Sequence, residues 1–221
     1  MGDKGLETVP GITSNSCWKD IRLPAPGEAK PCLFLDRDGV VVEEVNYLHR
    51  PEDVRLISGA ARIIRQANEL GWVCGLVTNQ AGIGRGYYDW PDFMAVQQTI
   101  DRELANSGAK LDFVLACPFH AEASRSEYRH AAHPWRKPHP GMLLEICKHF
   151  ELDLGKSVIV GDQLTDIDAG KRAGIANRYL VLTGHGSRQP EASSSGDAHG
   201  YRTIASIADL ELPPPTEPER A

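Results

Sequence analysis

Apolar residues along this chain follow two spacings in alternation. Short, mainly apolar stretches at 32–35, 72–77, 111–116, 157–160 and 178–182 predict strands, the first two buried and the first of parallel type, too short for helices and bounded by turn residues. Between them, apolar positions recur every third or fourth residue and predict helices. Ser58 is the expected N-cap of a helix burying Ala60, Ile63, Ile64, Ala67 and Leu70 and ending at Gly71. A second starts near Asp89 or Asp92, tolerates Pro91 in its first turn, buries Phe93, Val96, Ile100 and Leu104, and stops at Ser107-Gly108. A third opens at His139-Pro140-Gly141 with Met142, Leu143, Ile146, Cys147 and Phe150 on its apolar face. A fourth begins at Thr165 as N-cap, with Asp168 as the acidic third residue, and ends at Gly174. On that reading Asp166 and Asp168 are first-turn acids that suit the helix dipole. Residues 203–210 predict a short helix packed back on the sheet.

Strand and helix alternate without an internal repeat. The pattern predicts a single α/β domain, a doubly wound, mainly parallel Rossmann-like sheet over residues 31–211. Residues 1–30, rich in Gly, Pro and Ser, read as an N-terminal arm that Cys17-Trp18 and Ile21 could pin to the surface; 184–200 reads as a mobile segment and 212–221 as a tail. The apolar excursion 40–45, with Tyr47-Leu48, predicts a small flap or hairpin over the carboxyl ends of the strands.

Composition narrows the partners. The 221 residues carry a net charge of -6, which disfavours binding through the phosphate backbone of nucleic acid. Hydrophobic residues at 41% allow an ordinary core, and no run approaches the roughly 20 residues of a membrane span. Five scattered cysteines suit reduced thiols better than a disulfide framework, so a cytoplasmic protein is expected.

The chemistry gathers where predicted strands end. Asp36 and Asp38 follow the 32–35 run with Gly39 behind them. Two carboxylates at a strand's carboxyl end are either solvated turn residues or oxygen ligands for magnesium. Thr78, Asn79 and Gln80 end the second strand, and Gly82-Ile83-Gly84-Arg85-Gly86 follows as a candidate anion cradle that does not match the dinucleotide fingerprint. Arg136 and Lys137, just before a helix start, are either a solvated basic pair or two phosphate-holding cations. Asp162 ends the fourth strand ahead of the helix cap, so capping does not account for it. The irregular stretch 117–138 holds Cys117, His120, His130 and His133, whose spacing is compatible with tetrahedral zinc but is equally that of loop histidines after a strand-end cysteine.

Taken together, Asp36-Arg37-Asp38-Gly39-Val40, Thr78-Asn79-Gln80, Arg136-Lys137-Pro138 and Gly161-Asp162-Gln163-Leu164-Thr165-Asp166 resemble the four motifs of the haloacid-dehalogenase phosphatase superfamily. The 82–86 loop and the Arg-Lys-Pro-His-Pro-Gly-Met run resemble its minimally capped branch of heptose 1,7-bisphosphate and histidinol-phosphate phosphatases. The resemblance implies a magnesium-dependent phosphomonoester hydrolase acting on a small sugar phosphate, most simply a heptose 1,7-bisphosphate, through an aspartyl-phosphate. It implies Asp36 as nucleophile and magnesium ligand, and Asp38 as acid/base with its main-chain carbonyl on the metal. Asp162 completes the ligands, and Thr78 and Lys137 hold the phosphoryl oxygens. Arg136 is expected to reach the substrate beyond that group, with Glu44, Asn46, Tyr47, Asn79, Gln80 and Arg85 around the sugar.

The branch also carries a Cys-His and Cys-x-Cys zinc set. Here Cys117 is kept, but Phe119, His133 and Trp135 stand where the other three ligands align. A zinc would have to use another set, such as Cys117, His120, His130 and His133, and a zinc-free loop packed on Phe119 and Trp135 is the favoured expectation. Gln163 stands where a lysine often follows the motif aspartate. Alternatives are a histidinol-phosphate or other metabolite phosphatase, a polynucleotide 3'-phosphatase, for which the acidic charge is unsuited, a phosphotransferase, and a non-enzymatic phosphate-binding regulator.

Overall fold

A computed structural model describes residues 11–14, 16–22, 28–188 and 200–213. Its strands are β1 (Trp18–Ile21), β2 (Cys32–Leu35), β3 (Val73–Asn79), β4 (Phe113–Cys117), β5 (Val158–Gly161), β6 (Asn177–Val181) and β7 (Arg202–Ile204). They form one sheet in the order β1-β4-β3-β2-β5-β6-β7. Every pairing is parallel except β1 with β4. The continuous apolar runs become the middle of this sheet, and every residue of β2 is buried. A strand covered on both faces needs apolar side chains at every position, which is why those runs do not alternate.

The helices are α1 (Ala60–Glu69), the single turn α2 (Ala81–Gly84), α3 (Trp90–Asn106), α4 (Gly141–Ile146) and α5 (Leu164–Ala173). From β2 the chain winds outward through β3 to β4, then returns to β5 on the other side of β2 and continues outward. Right-handed crossovers in opposite directions put the connecting helices on opposite faces, so the sheet is doubly wound. The direction reverses between β2 and β5, and their carboxyl ends form the crevice where such sheets hold ligands.

Four expectations are corrected. The N-terminal arm supplies the edge strand β1, anchored by Trp18, which packs on Trp90 and Phe93 at ring separations of 5.9 and 5.7 Å. Residues 202–204 form β7 before a 3-10 turn at Ile207–Asp209, rather than a helix throughout. Both edge strands are short and interrupted by polar residues, Lys19 and Asp20 in one and Arg202 and Thr203 in the other, so they lack a buried strand's continuous run. The cap of α1 is Gly59 at φ 87, one residue after Ser58, with no side-chain cap. The cap of α5 is Gln163, whose N–H donates to the Asp166 carboxylate at 3.0 Å, not Thr165 with Asp168.

Helix α3 is closed by a reciprocal box that uses both predicted aspartates. Asp92 N–H donates to Asp89 at 3.2 Å, and Asp89 N–H to Asp92 at 3.0 Å. Helix α4 is shorter than its apolar face suggested. The 40–48 segment folds inward: Val40, Val41 and Val42 are buried, and Ile57 N–H donates to Val41 O and Glu43 N–H to Arg55 O, each at 2.9 Å. Residues 189–199 of the expected mobile segment and 214–221 of the tail lie outside the described residues.

Candidate active site

Asp36 leaves the end of β2 with its N–H still bonded to Val160 O at 3.0 Å, so the ladder itself fixes where its carboxylate starts. Lys137 Nζ sits 2.9 Å from Asp36, 2.5 Å from Asp166 and 2.7 Å from Val77 O, which accepts from it. Its backbone is clamped to β3, because Lys137 N–H donates to Asn79 Oδ1 and Asn79 Nδ2 to Lys137 O, both at 3.1 Å. The basic pair is therefore not a solvated one: Lys137 is buried with two carboxylates.

Asp162, at the end of β5, is 1% exposed and accepts from His185 N–H at 2.7 Å, with His185 Nδ1 at 3.2 Å from the same oxygen. Its other oxygen, Oδ1, is buried with no hydrogen-bond partner among the described residues. Oxygens of Asp36, Asp162 and Asp166 lie within 4.8 Å of one another. Burial pushes Asp36 up to about 7, with Lys137 opposing and Asp166 and Asp38 adding to the rise. Burial, then the charges of Asp36 and Asp166, push Asp162 up to about 8. Three converging carboxylates with one lysine and an orphaned oxygen are an arrangement that lacks a positive charge. Hard oxygen donors with a spare lone pair fit magnesium. Gly39, at φ 80, lets the chain pass here: a Cβ on it would come within 2.5 Å of Asp162 Oδ2.

The Asp38 side chain turns to the opposite wall. It accepts from Arg37 Nε at 3.0 Å and Nη2 at 3.1 Å, and from Gln80 Nε2 at 2.9 Å. Arg37 is fully buried, 5.3 Å over the Phe93 ring, and also donates to Gln80 Oε1 at 3.1 Å. Gln80 Oε1 further accepts from Tyr88 at 2.5 Å, while its Nε2 reaches Thr78 Oγ1 at 2.9 Å. Thr78, Gln80 and Asp38 are thus one network.

The two aspartates open on a cavity of about 190 Å³. Glu44, Asn46, Tyr47, Asn79, Gln80 and Lys137 are among its walls, as are His185, Gln163 and Thr165. Asn46 and Tyr47 hold left-handed backbone at φ 54 and 71, a strained pair at the mouth, with Tyr47 edge-on to Tyr87 at 4.7 Å. Arg85 and Arg136 are not on this wall. Arg136 donates to Phe119 O at 2.8 Å, and Arg85 to Glu122 at 3.2 Å. The glycines of the 82–86 loop do not spread as an anion cradle: Gly82 and Gly84 are buried in α2, where a Cβ would strike Tyr88 and Pro118 O.

The 117–138 loop does not bring Cys117, His120, His130 and His133, the alternative zinc set, together as one group. His120 accepts from Glu122 N–H at 3.0 Å and faces Arg85, and His130 accepts from Ala132 N–H at 3.1 Å. Cys117 and His133 do meet, Sγ to Nδ1 at 3.8 Å, and Cys17 from the N-terminal segment joins them.

Sequence reasoning did not assign Arg37, His185 or Tyr88 to the site, and read Asp166 as a helix-terminus acid. Only Asp166 carried a signal, its place three residues after Gln163 in a motif already tied to phosphate chemistry.

A doubly wound sheet with this carboxylate and lysine cluster at its switch point defines a haloacid-dehalogenase-like hydrolase, and the HAD-hydrolase-like family model matches residues 134–210. The chain is 44% identical over 170 residues to the D-glycero-D-manno-heptose-1,7-bisphosphate 7-phosphatase of Thermosynechococcus vestitus, covering 74% of this chain and 85% of that protein. It is 44% identical over 160 residues to the D-glycero-beta-D-manno-heptose-1,7-bisphosphate 7-phosphatase of Mesorhizobium japonicum, covering 72% and 73%. Among solved structures, a HAD-like phosphatase from Mesorhizobium loti superposes with TM-score 0.72 at 39% identity, covering 78% of this chain and 82% of that one. The D,D-heptose 1,7-bisphosphate phosphatase from B. bronchiseptica, complexed with magnesium and phosphate, gives 0.69 at 30% identity, covering 80% and 94%. The chain belongs to this family of phosphatases. It is a phosphatase of the haloacid-dehalogenase type.

Proposed function

We propose that this phosphatase removes the 7-phosphate of a D-glycero-D-manno-heptose 1,7-bisphosphate, with Asp36 as nucleophile. The observation that carries this reading is the buried Asp36–Lys137–Asp166 cluster with Asp162 beside it, opening on a small polar cavity. Asp36 attacks phosphorus in line, forming an aspartyl-phosphate and releasing the sugar alkoxide. Asp38, oriented by Arg37 and Gln80, gives the alkoxide a proton and later takes one from the hydrolytic water. Lys137 and Thr78 stabilise the transferring oxygens, and Asn79 sets the position of Lys137. Asp36 and Asp162 would hold magnesium, with Asp166 near them; bound there, the ion neutralises charge on the phosphoryl group. Glu44, Asn46 and Tyr47 line the side where the sugar enters.

Initial rates with magnesium on heptose 1,7-bisphosphate, histidinol phosphate, other sugar mono- and bisphosphates and a 3'-phosphorylated oligonucleotide test the assignment. The heptose bisphosphate is expected to have the highest kcat/KM. A higher value for histidinol phosphate, or for the oligonucleotide, overturns it.

A further inference from the structure

The loop after β6 reaches the phosphate site from outside the four motifs. It runs from Thr183 to His185, where a glycine- and serine-rich stretch begins, and a 3-10 turn at Gly186–Arg188 follows it. Three contacts fasten it to the strand ends. Thr183 Oγ1 donates to Gly39 O at 2.6 Å. Gly184, at φ 58, passes so close that a Cβ on it would strike both Asp162 Oδ2 and the Gly39 Cα. His185 donates its backbone N–H to Asp162 Oδ2 at 2.7 Å, and its ring Nδ1 lies 3.2 Å from the same oxygen.

These contacts give the two oxygens of Asp162 different tasks. An ionised carboxylate only accepts, so Nδ1 carries the ring hydrogen and the tautomer of His185 is fixed. Oδ2 then takes two donors from one residue, while Oδ1 is buried with no hydrogen-bond partner among the described residues. With Oδ2 tied back, Oδ1 is the oxygen left for a cation. The same loop holds the turn that follows Asp36. Gly39 N–H donates to Val42 O at 2.8 Å, and its carbonyl takes the Thr183 hydroxyl. The ends of β2 and β5, which bring Asp36 and Asp162 together, are therefore clipped to each other by one loop from β6.

We propose that Thr183-Gly184-His185 is a positioning element for the metal carboxylates: His185 ties back Asp162 Oδ2 so that Oδ1 meets the magnesium, and Thr183 keeps the turn after Asp36 in place beside it. This rests on the magnesium role given above to Asp36 and Asp162. His185 acts through Asp162, and Thr183 acts through Gly39. Groups that orient a metal's ligands in this way govern its affinity by about 10- to 100-fold. The His185 side chain is 40% exposed, so replacing it removes the Nδ1 donor with little loss of packing.

The full-length chain, stripped with EDTA and freed of it, is titrated with magnesium chloride, and the concentration giving half the full rise in melting temperature is read. His185→Ala should raise that midpoint about ten-fold, with a metal-free melting temperature within about 2 °C of wild type. His185→Asn, whose side-chain amide can donate from the place of Nδ1, should stay within about three-fold of wild type. Thr183→Val keeps the shape and loses the donor, so it should shift the midpoint the same way, and Thr183→Ser should not. A wild-type midpoint in His185→Ala or in Thr183→Val overturns the proposal, as does an equal shift in His185→Ala and His185→Asn. Asp162→Asn separates this role from the reading beneath it. Loss of the magnesium response in Asp162→Asn, with a wild-type midpoint in His185→Ala, overturns the positioning role alone. An undiminished response in Asp162→Asn, or none in the wild-type chain, overturns both.

Discussion

Asp36 carries both the proposed chemistry and an unfavourable burial, and the two can be separated by one substitution. Asp36→Asn keeps the shape and removes the nucleophile, so turnover should fall by more than about 10³-fold while the circular dichroism spectrum is unchanged. Because burial makes the Asp36 charge unfavourable, the amide variant should also unfold at an equal or higher temperature in EDTA near pH 8. Retained activity would remove Asp36 from its role. Arg37→Lys keeps a buried cation but loses the planar fork on Asp38. Its kcat should drop at least about ten-fold on a sugar phosphate and less on an aryl phosphate with a good leaving group, because only the former needs the Asp38 proton. Equal losses on both would show that Arg37 does not act through Asp38. The two aspartates were legible in the sequence because their spacing follows an apolar run. Arg37 was not: its role depends on Gln80 and Phe93, brought beside it by a neighbouring strand and a helix.

Among the elements, β1 is the one whose contribution was least expected. Trp18 is 8% exposed and packs on Trp90 and Phe93, the first turn of α3. Trp18→Ala should cost about 3 kcal/mol, read as a lower urea midpoint at constant m-value, since it removes a large buried ring. A change under about 0.5 kcal/mol would mean β1 is held without it. Strands β2 to β5 could be read from sequence because burial on both faces leaves an apolar run, and β6 because its buried second half, Tyr179 to Val181, is apolar. In β1 and β7 that signal is broken by Lys19 and Asp20, and by Arg202 and Thr203, at positions left partly open. The α5 cap was misplaced for a related reason. Gln163 is a weak N-cap type, and the carboxylate that answers its N–H, Asp166, is also engaged by Lys137 from another part of the chain.

At the scale of the whole molecule, the carboxylate cluster links stability to pH and to magnesium. Asp36 and Asp162 have folded values raised to about 7 and about 8 above an ordinary 3.8, so the folded chain binds more protons than the unfolded one between these limits. Their contribution is fully present below about pH 4 and is lost as pH rises to about 8. In EDTA the melting temperature should therefore fall from pH 5 to pH 8, and magnesium should raise it most at pH 8, where both carboxylates are ionised and can take the ion. A magnesium effect no larger at pH 8 than at pH 5 would contradict this coupling. What the sequence determined by itself was local in origin. It set which segments are buried on both faces, where helices start and stop to within a few residues, and which strand ends carry carboxylates, because burial and capping act on neighbours along the chain. The tertiary structure decided which of those ends share a crevice. It buried Lys137 between Asp36 and Asp166, turned Arg136 to Phe119, drew Arg37 beneath Asp38, and brought Cys17 to Cys117 and His133. Each of these pairings depends on strand order and register, and those are settled only when the whole sheet closes around its core.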